Sequence, residues 1–364
     1  MIDLKDINER IIDRKNSFFW QTDRKITQEE TREIWEDKHR GITTLELLES
    51  VNKVMDNKVK FIKDVNEDDQ TNLGFINSVR VGVLNDGREV IIRCHPKGVK
   101  NGYFHAESLV SSLLKKSGLP AYYTFAIHDL VNEDDVSFQV IEKLEGTAMK
   151  KWFEENPQDI DKLMVDAGKT LAKIHSIKVK GFGSFDNELA KQGELVGLHD
   201  SFEKFIMSGL EDNLDVLVMY NHINEQQKNN IISLYKDNAL LKCDQAVLVH
   251  NDYADWNLLT DGEKVSGILD LDECCASDPL CDIACWMSMA PQNRVSKFLD
   301  GYYGDKEKPA NFEEKVNLFT LRYVISNMVQ RSYRSEYIHT EFLNDLLKQG
   351  KQQIVDLLKY FNID

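Results

Sequence analysis

One polar loop between two apolar segments constrains this chain more than any other feature of its sequence. Leu248 and Val249 lead into the segment HNDYADWN, in which His250, Asp252 and Asn257 follow the pattern HxDxxxxN. Asp270 ends the next apolar segment, thirteen residues after Asn257. Transfer of a phosphoryl group needs a carboxylate that deprotonates the acceptor hydroxyl and oxygen ligands for the magnesium ions that bridge the phosphates. Asp252 is therefore the candidate catalytic base, and Asn257 and Asp270 are the candidate magnesium ligands. The alternative is a polar loop with only a structural role.

The order of secondary-structure signals predicts an α+β chain with two lobes. Strand-like residues 75–84 and 89–94 flank Asn85-Asp86-Gly87, a hairpin signal, and a third strand is predicted over 136–142. Between them a helix is predicted over about 103–117, ended by Gly118 and Pro120. These signals divide the chain into a helical extension (1–60), a small β-rich N-terminal lobe (61–144) and a mostly helical C-terminal lobe (145–364).

Helical signals dominate the two ends of the chain. Thr27 and Thr43 each open a capping-box pattern, with a glutamate three residues later. In the C-terminal part, helices are predicted over about 159–176, 199–210, 223–240, 280–288, 312–334 and 339–361, and two short strands over 246–249 and 265–269.

Charge and composition exclude several classes of partner. The formal net charge of −16 argues against nucleic acid and against an anionic membrane surface, and it is compatible with a cationic substrate. No apolar stretch approaches the ~20 residues of a membrane helix, and the charged N-terminus has no signal-peptide pattern, so we expect a cytoplasmic protein. Four of the six cysteines lie within 274–285 without a CxxC pair, which favours buried thiols over a zinc site.

The motif and its surroundings resemble the aminoglycoside phosphotransferase family of kinases. The family pattern is H-G-D-x-x-x-x-N, and Asn251 stands here in place of the usual glycine. Downstream, Asp278-Pro279 and Asp282-Ile283-Ala284 match further family positions. The resemblance covers the chain from about residue 65 onward. It implies a protein-kinase-like fold, ATP as co-substrate and Mg²⁺ as cofactor, and it assigns structural roles to His250, Asp278 and Asp282.

The same resemblance assigns the nucleotide site to the small lobe. A basic residue of the third strand, Arg93, would contact phosphate and pair with Glu107 of the following helix; Lys97 is the rival, and an ordinary ion pair is the alternative. The loop of residues 72–78, with Asn77 and Ser78 at its end, would cover the triphosphate, and main-chain groups of Glu142 to Leu144 would bind adenine.

The sequence says less about the molecule that accepts the phosphoryl group than about the nucleotide site. By resemblance, Asp272 and Glu273 would bind ammonium groups of the substrate. Glu336, Glu341 and Asp345 are candidates by region only, and Trp256 either packs beside the substrate or lies in the core. Three functions stay open: a kinase for an aminoglycoside or hygromycin-like antibiotic, a metabolic kinase for choline, an amino alcohol or a sugar, and a nucleotide-binding pseudokinase. The sequence does not distinguish ATP from GTP, nor does it give the oligomeric state.

Overall fold

The computed structural model describes residues 42–64, 78–95, 97–98, 101–132, 134–290, 292–336 and 339–363. The capping-box pattern at Thr27 and residues 72–77, with Asn77, lie outside the described residues. Within the described part, no helix has the length and apolar character that crossing a membrane requires.

The small lobe is built on a five-stranded antiparallel sheet in the order β1-β2-β3-β5-β4. Its strands are β1 (Val59–Asp64), β2 (Ser78–Leu84), β3 (Glu89–Cys94), β4 (Thr124–His128) and β5 (Phe138–Glu142). The predicted hairpin is confirmed, with Gly87 at φ 89° in the turn between β2 and β3. Only glycine adopts that conformation without steric cost, so this residue fixes the turn.

Two helices flank this sheet. Helix α1 (Thr44–Val54) begins with the predicted capping box of Thr43 and Glu46, and it buries Leu47 and Val51 in the small-lobe core. Part of the predicted N-terminal extension therefore belongs to the small lobe.

Helix α2 (Phe104–Lys116) packs its apolar face, including Val110 and Leu114, into the core of the large lobe. The helix that carries Glu107 thus joins the two lobes.

The large lobe is mostly helical, as predicted. Its helices are α3 (Met149–Glu155), α4 (Ile160–Ile174), α5 (Asn187–Lys191), α6 (Phe202–Met207), α7 (Leu210–Met219), α8 (Glu225–Tyr235), α9 (Leu280–Met289), α10 (Gln292–Tyr303), α11 (Phe312–Ser335) and α12 (Glu341–Tyr360). The helix expected over 199–210 ends earlier, at Met207, because Gly209 adopts a left-handed conformation (φ 65°), and α7 begins beyond it at Leu210. Helices α3, α5, α7 and α10 were not predicted.

Two small sheets frame the polar loop. One sheet has the order β11-β10-β6 and the other β8-β7-β12-β9. Their strands are β6 (Thr147–Ala148), β7 (Phe182–Phe185), β8 (Gly197–His199), β9 (Val247–Val249), β10 (Leu258–Thr260), β11 (Val265–Ile268) and β12 (Cys275–Ser277). The polar loop leaves one sheet at the end of β9 and enters the other at β10. Its two ends are therefore held by different sheets, which fixes its path.

Candidate active site

Asp252 and Asn257 are in direct contact in the polar loop. The amide Nδ2 of Asn257 donates to Oδ2 of Asp252 at 2.8 Å and to the Asp252 carbonyl at 2.9 Å. These two bonds close the loop on itself and hold the carboxylate in one orientation. They also leave Oδ1 of Asn257 as the side-chain atom that can bind a cation.

The base of the loop is held by a buried carboxylate. Oδ2 and Oδ1 of Asp282, on α9, accept hydrogen bonds from the N–H groups of His250 (2.8 Å) and Asn251 (2.7 Å). A second histidine, His175, contacts the same carboxylate at 3.0 Å. A buried charge needs such partners, so Asp282 stabilises the turn from β9 into the loop.

His250 connects the loop to the strand that carries Asp270. Its Nε2 lies 2.9 Å from the carbonyl of Leu269, and its Nδ1 accepts the N–H of Asp252 at 3.3 Å. This pairing requires the neutral tautomer that is protonated on Nε2. Burial lowers the pKa of His250, in keeping with that tautomer. The contacts support a structural role for His250.

Asn251 adopts the left-handed conformation, with φ 67°. Asparagine tolerates this conformation better than most residues, although less well than glycine. Its side-chain Oδ1 accepts a hydrogen bond from the hydroxyl of Tyr323 on α11, and its carbonyl accepts the Cys285 thiol at 3.3 Å. The backbone conformation explains why glycine is usual at this family position, and the Tyr323 bond shows what asparagine adds.

Asp270 also has a left-handed backbone, with φ 56° and ψ 62°. Strain of this kind concentrates at functional sites. Almost half of its side chain is exposed, and Oδ1 accepts a hydrogen bond from Nη2 of Arg93 at 3.1 Å. The surrounding protein raises the pKa of Asp270 above its ordinary value by displacing water, and the charge of Arg93 opposes this rise.

Arg93 joins three carboxylates from two lobes. It bonds Glu107 of α2, which also accepts the hydroxyl of Tyr122, and it lies 3.6 Å from Oδ2 of Asp272. Burial disfavours the charge of Arg93, but Glu107, Asp270 and Asp272 outweigh burial and raise its pKa well above the usual range. The predicted pair of Arg93 and Glu107 is present, and Asp272 lies within the same network.

Asp252 is a carboxyl in an environment that disfavours its charge. Burial raises the pKa of Asp252 well above its usual range, and the nearby Asp270 carboxylate acts in the same direction. The hydrogen bond from Asn257 opposes this rise. A raised pKa makes a carboxylate a stronger base, which is the property that deprotonation of a hydroxyl requires.

The oxygen donors of Asp270 and Asn257 suit magnesium only when substrate phosphates supply further oxygen ligands. Asp270 and Oδ1 of Asn257 are hard oxygen donors from adjacent strand ends, joined by the bond from Leu269 N to Asn257 O at 2.9 Å. In the described part of the chain, no group of three or more His, Cys, Asp or Glu residues could hold a metal ion alone. Magnesium commonly combines one or two carboxylates with substrate phosphates, and these residues fit that mode.

The remaining nucleotide candidates lie on the small lobe and the connection to the large lobe. Ser78 begins β2, where it is buried. Glu142 ends β5, and its Oε2 binds Lys115 (3.1 Å) and the N–H of Tyr123 (3.0 Å). Leu144 is half-buried against the large-lobe core.

Lys97, the rival of Arg93, lies 4.0 Å from the exposed Asp134, whereas Arg93 reaches Asp270.

The acceptor candidates differ in exposure. Asp272 and Glu273 are only 6% and 5% exposed, so little of either side chain is open to a bound substrate. Glu336, Glu341 and Asp345 are exposed, and Asp345 pairs with Lys348 at 3.5 Å.

Trp256 is 41% exposed rather than buried in the core, and the amino group of Lys150 lies 6.0 Å from its ring.

A residue that the sequence analysis did not identify, Arg294, holds the centre of the polar loop. The guanidinium of Arg294, on α10, bonds the Asp255 carboxylate at 2.5 Å and lies 4.8 Å from the ring of Phe153. The carbonyl of Asp255 accepts the N–H of Lys150 at 3.0 Å. Only the packing of α10, an element that was not predicted, brings Arg294 to the loop, so no local sequence signal marks this pair.

The same arrangement of lobes occurs in solved kinases. One is a thermostable mutant of aminoglycoside phosphotransferase APH(4)-Ia in ternary complex with AMP-PNP and hygromycin B (TM-score 0.61, 14% identity, 85% of this chain and 98% of that chain). Another is ADP-bound aminoglycoside phosphotransferase APH(2'')-Ib (TM-score 0.53, 16% identity, 86% and 99%). A third is a choline/ethanolamine kinase family protein from Mesorhizobium loti (TM-score 0.56, 14% identity, 87% and 95%). At these identities the likeness establishes the fold alone.

Sequence comparison establishes the family. No curated protein matches the sequence of this chain. Residues 70–315, more than half of the chain, match the phosphotransferase enzyme family. That span contains the polar loop, Asp270 and the Arg93–Glu107 pair. The chain belongs to the phosphotransferase enzyme family and is a kinase-type small-molecule phosphotransferase with a protein-kinase-like fold.

Proposed function

We propose that this enzyme transfers the γ-phosphoryl group of ATP to a hydroxyl of a small, cationic molecule, with Asp252 as catalytic base and magnesium as cofactor. The observation that carries the proposal is that Asp252, Asn257 and Asp270 lie close together, where the polar loop meets the end of β11. Asp252 bonds Asn257 at 2.8 Å, and the charge of Asp270 acts on the pKa of Asp252.

Each residue has a distinct part in the reaction. Asp252 orients the acceptor hydroxyl and takes its proton as the oxygen attacks the γ-phosphorus. The bond between the γ-phosphorus and the β–γ bridging oxygen breaks, and ADP leaves with that oxygen. Asn257 and Asp270 would hold magnesium, which when bound neutralises charge on the phosphates. Arg93, fixed by Glu107, would contact the phosphates from the small lobe, and main-chain groups of Glu142 to Leu144 would bind adenine.

An aminoglycoside or hygromycin-like aminocyclitol is the acceptor that we favour. Two of the similar structures are aminoglycoside phosphotransferases, one of them with hygromycin B bound. The net charge of −16 is compatible with a substrate that carries several ammonium groups. Asp272 and Glu273 remain the proposed ammonium ligands, and their low exposure leaves only a small part of each side chain for such a contact.

A metabolic acceptor is the second candidate. The likeness to a choline/ethanolamine kinase family protein, which covers 87% of this chain, supports an amino alcohol. The exposed indole of Trp256 is also compatible with a quaternary ammonium group, because such cations bind to aromatic faces. The positive charge of Lys150, 6.0 Å from that ring, opposes the same binding.

The deciding experiment measures ADP release by the purified protein with Mg·ATP. It uses three panels of acceptors: aminoglycosides and hygromycin B, choline and ethanolamine, and simple sugars. We expect turnover in the first panel, with the phosphate recovered as a phosphate ester of the acceptor. Turnover confined to the second or third panel would identify a metabolic kinase. Binding of Mg·ATP without turnover of any acceptor would contradict the proposed activity and favour a nucleotide-binding pseudokinase.

A further inference from the structure

Helix α2, which carries Glu107, receives part of its N-terminal cap from the other lobe. The first N–H groups of a helix have no partner within the helix, and the N-cap residue Tyr103 supplies no side-chain bond to them. Asn101 accepts the N–H groups of Tyr103 and Phe104 at 2.7 and 2.6 Å. The next two, from His105 and Ala106, donate to Oδ1 of Asn187 at 3.1 and 3.2 Å.

Asn187 begins a short helix of the large lobe that has its own N-terminal cap. It is the first residue of the short helix α5, whose own cap is Asp186, with bonds of 2.8 and 3.0 Å to the next N–H groups. A further residue of α5, Lys191, reaches Asp129 at 3.0 Å, and the same carboxylate contacts His105 at 3.1 Å. The start of α2 is therefore joined to α5 twice.

Helix α5 is connected to the strand that leads into the polar loop. It follows β7 directly, and β7 pairs with β12, which pairs in turn with β9. Asp252 lies three residues after the end of β9. A continuous set of hydrogen-bonded elements therefore runs from the polar loop to the first turn of α2.

We propose that Asn187 is a positioning residue that fixes Glu107, and through it Arg93, relative to the polar loop. Glu107 directly follows Ala106, whose N–H is bound to Asn187, so loss of this cap displaces the Glu107 side chain. Arg93 then loses its fixed partner and holds Asp270 less well. The inference rests on the proposed function, because it assumes that Arg93 and Asp270 serve Mg·ATP.

The test compares four forms of the full chain: wild type, Asn187→Ala, Asn187→Asp and the control Asn229→Ala. Asn229 is an exposed asparagine on α8, outside the site. Binding of Mg·ATP is measured by calorimetry, and hydrogen exchange follows the amides of His105 and Ala106. We expect Asn187→Ala to weaken binding about threefold to tenfold and to speed exchange, as for a lost cap. Asn187→Asp, which keeps the acceptor oxygen, should stay within about twofold of wild type.

A double variant separates positioning from general destabilisation. In a Glu107→Gln background, Asn187→Ala should cause little further loss of Mg·ATP binding, because its effect passes through Glu107. Full additivity of the two losses, or wild-type binding by Asn187→Ala, would overturn the assignment. Failure of the wild type itself to bind Mg·ATP would instead contradict the proposed function, so the two failures are distinguishable.

Discussion

Nη2 of Arg93 lies 3.1 Å from Oδ1 of Asp270, so the basic residue of the small lobe touches the candidate metal ligand of the large lobe. The same guanidinium bonds Glu107 and lies 3.6 Å from Asp272. A planar guanidinium presents donors in several directions, whereas an ammonium group is a compact charge. This geometry accounts for an arginine at a position where lysine is more usual in the family.

Replacing Arg93 by lysine should separate these contacts. The amino group can keep Glu107, but it cannot also bridge to Asp270 and Asp272. We expect the KM for ATP to rise about tenfold, equivalent to the loss of one charge-assisted bond of ~1.4 kcal/mol, with a smaller change in stability. Steady-state kinetics and urea unfolding measure the two effects. Arg88→Lys, on the exposed β2–β3 turn, is the matched control. Unchanged kinetics in Arg93→Lys would show that the bridge is not needed.

Asn251 should tolerate glycine better than alanine. Alanine at φ 67° costs about 1–2 kcal/mol, and either substitution leaves the buried Tyr323 hydroxyl without its Asn251 acceptor, costing about 1–3 kcal/mol. We therefore expect Asn251→Ala to lower the free energy of unfolding more than Asn251→Gly does. Asn221→Ala, at φ 56° in the turn after α7, controls for backbone strain away from the loop. Equal losses for the alanine and glycine variants would contradict the strain argument.

Arg294 should matter to the polar loop through Asp255. Burial raises the pKa of Asp255, and Arg294 opposes that rise, so Arg294→Ala leaves a poorly compensated carboxylate. We expect a loss of about 1–3 kcal/mol in the free energy of unfolding, together with a lower kcat. Adding Asp255→Asn should recover part of both losses, since it removes the uncompensated charge. A double variant that shows the plain sum of both single losses would exclude coupling between the two residues.

Asp129 gives a dependence of stability on pH. Its hydrogen bond with His105, opposed by burial and aided by Lys191, lowers the pKa of Asp129 to about 2. Because the folded pKa lies below the unfolded value of about 3.9, the stabilisation is present above pH 4 and is lost as the pH falls toward 2. Urea unfolding should therefore show Asp129→Asn less stable than wild type at pH 5–7, with the difference shrinking below pH 4. A difference that is constant from pH 7 to pH 3 would contradict this assignment.

The sequence predicted the parts of this fold that local patterns encode. Helices α4, α9, α11 and α12 lie close to their predicted ranges, as does the hairpin at Gly87, because apolar periodicity and turn residues mark them. Helix α10 was missed, since Gln292 and Asn293 give it a polar start that resembles a loop.

From the residues alone, the candidate site was predictable only where its members are close in sequence, and the pairing of Arg93 with Glu107 came from the family resemblance. The spacing of His250, Asp252 and Asn257 is local, and the structure brings these residues together. The bond of Asn187 to the start of α2 and that of Arg294 to Asp255 join residues 82 and 39 positions apart, respectively. Such contacts depend on how lobes and helices pack, which periodicity and capping patterns do not report.

In the proposed mechanism, Asp252 takes the proton of the acceptor hydroxyl. The substitution Asp252→Asn keeps the size and most hydrogen-bonding capacity of the side chain, but it removes the base. Asp261→Asn, in the exposed turn between β10 and β11, makes the same chemical change outside the site and should leave turnover unchanged.

The most direct test is the kcat of Asp252→Asn with the best acceptor, measured beside its affinity for Mg·ATP. We expect kcat to fall ~10²–10⁴-fold while nucleotide binding is largely kept, as for loss of a general base. Wild-type turnover in this variant would contradict the role of Asp252 and the mechanism built on it.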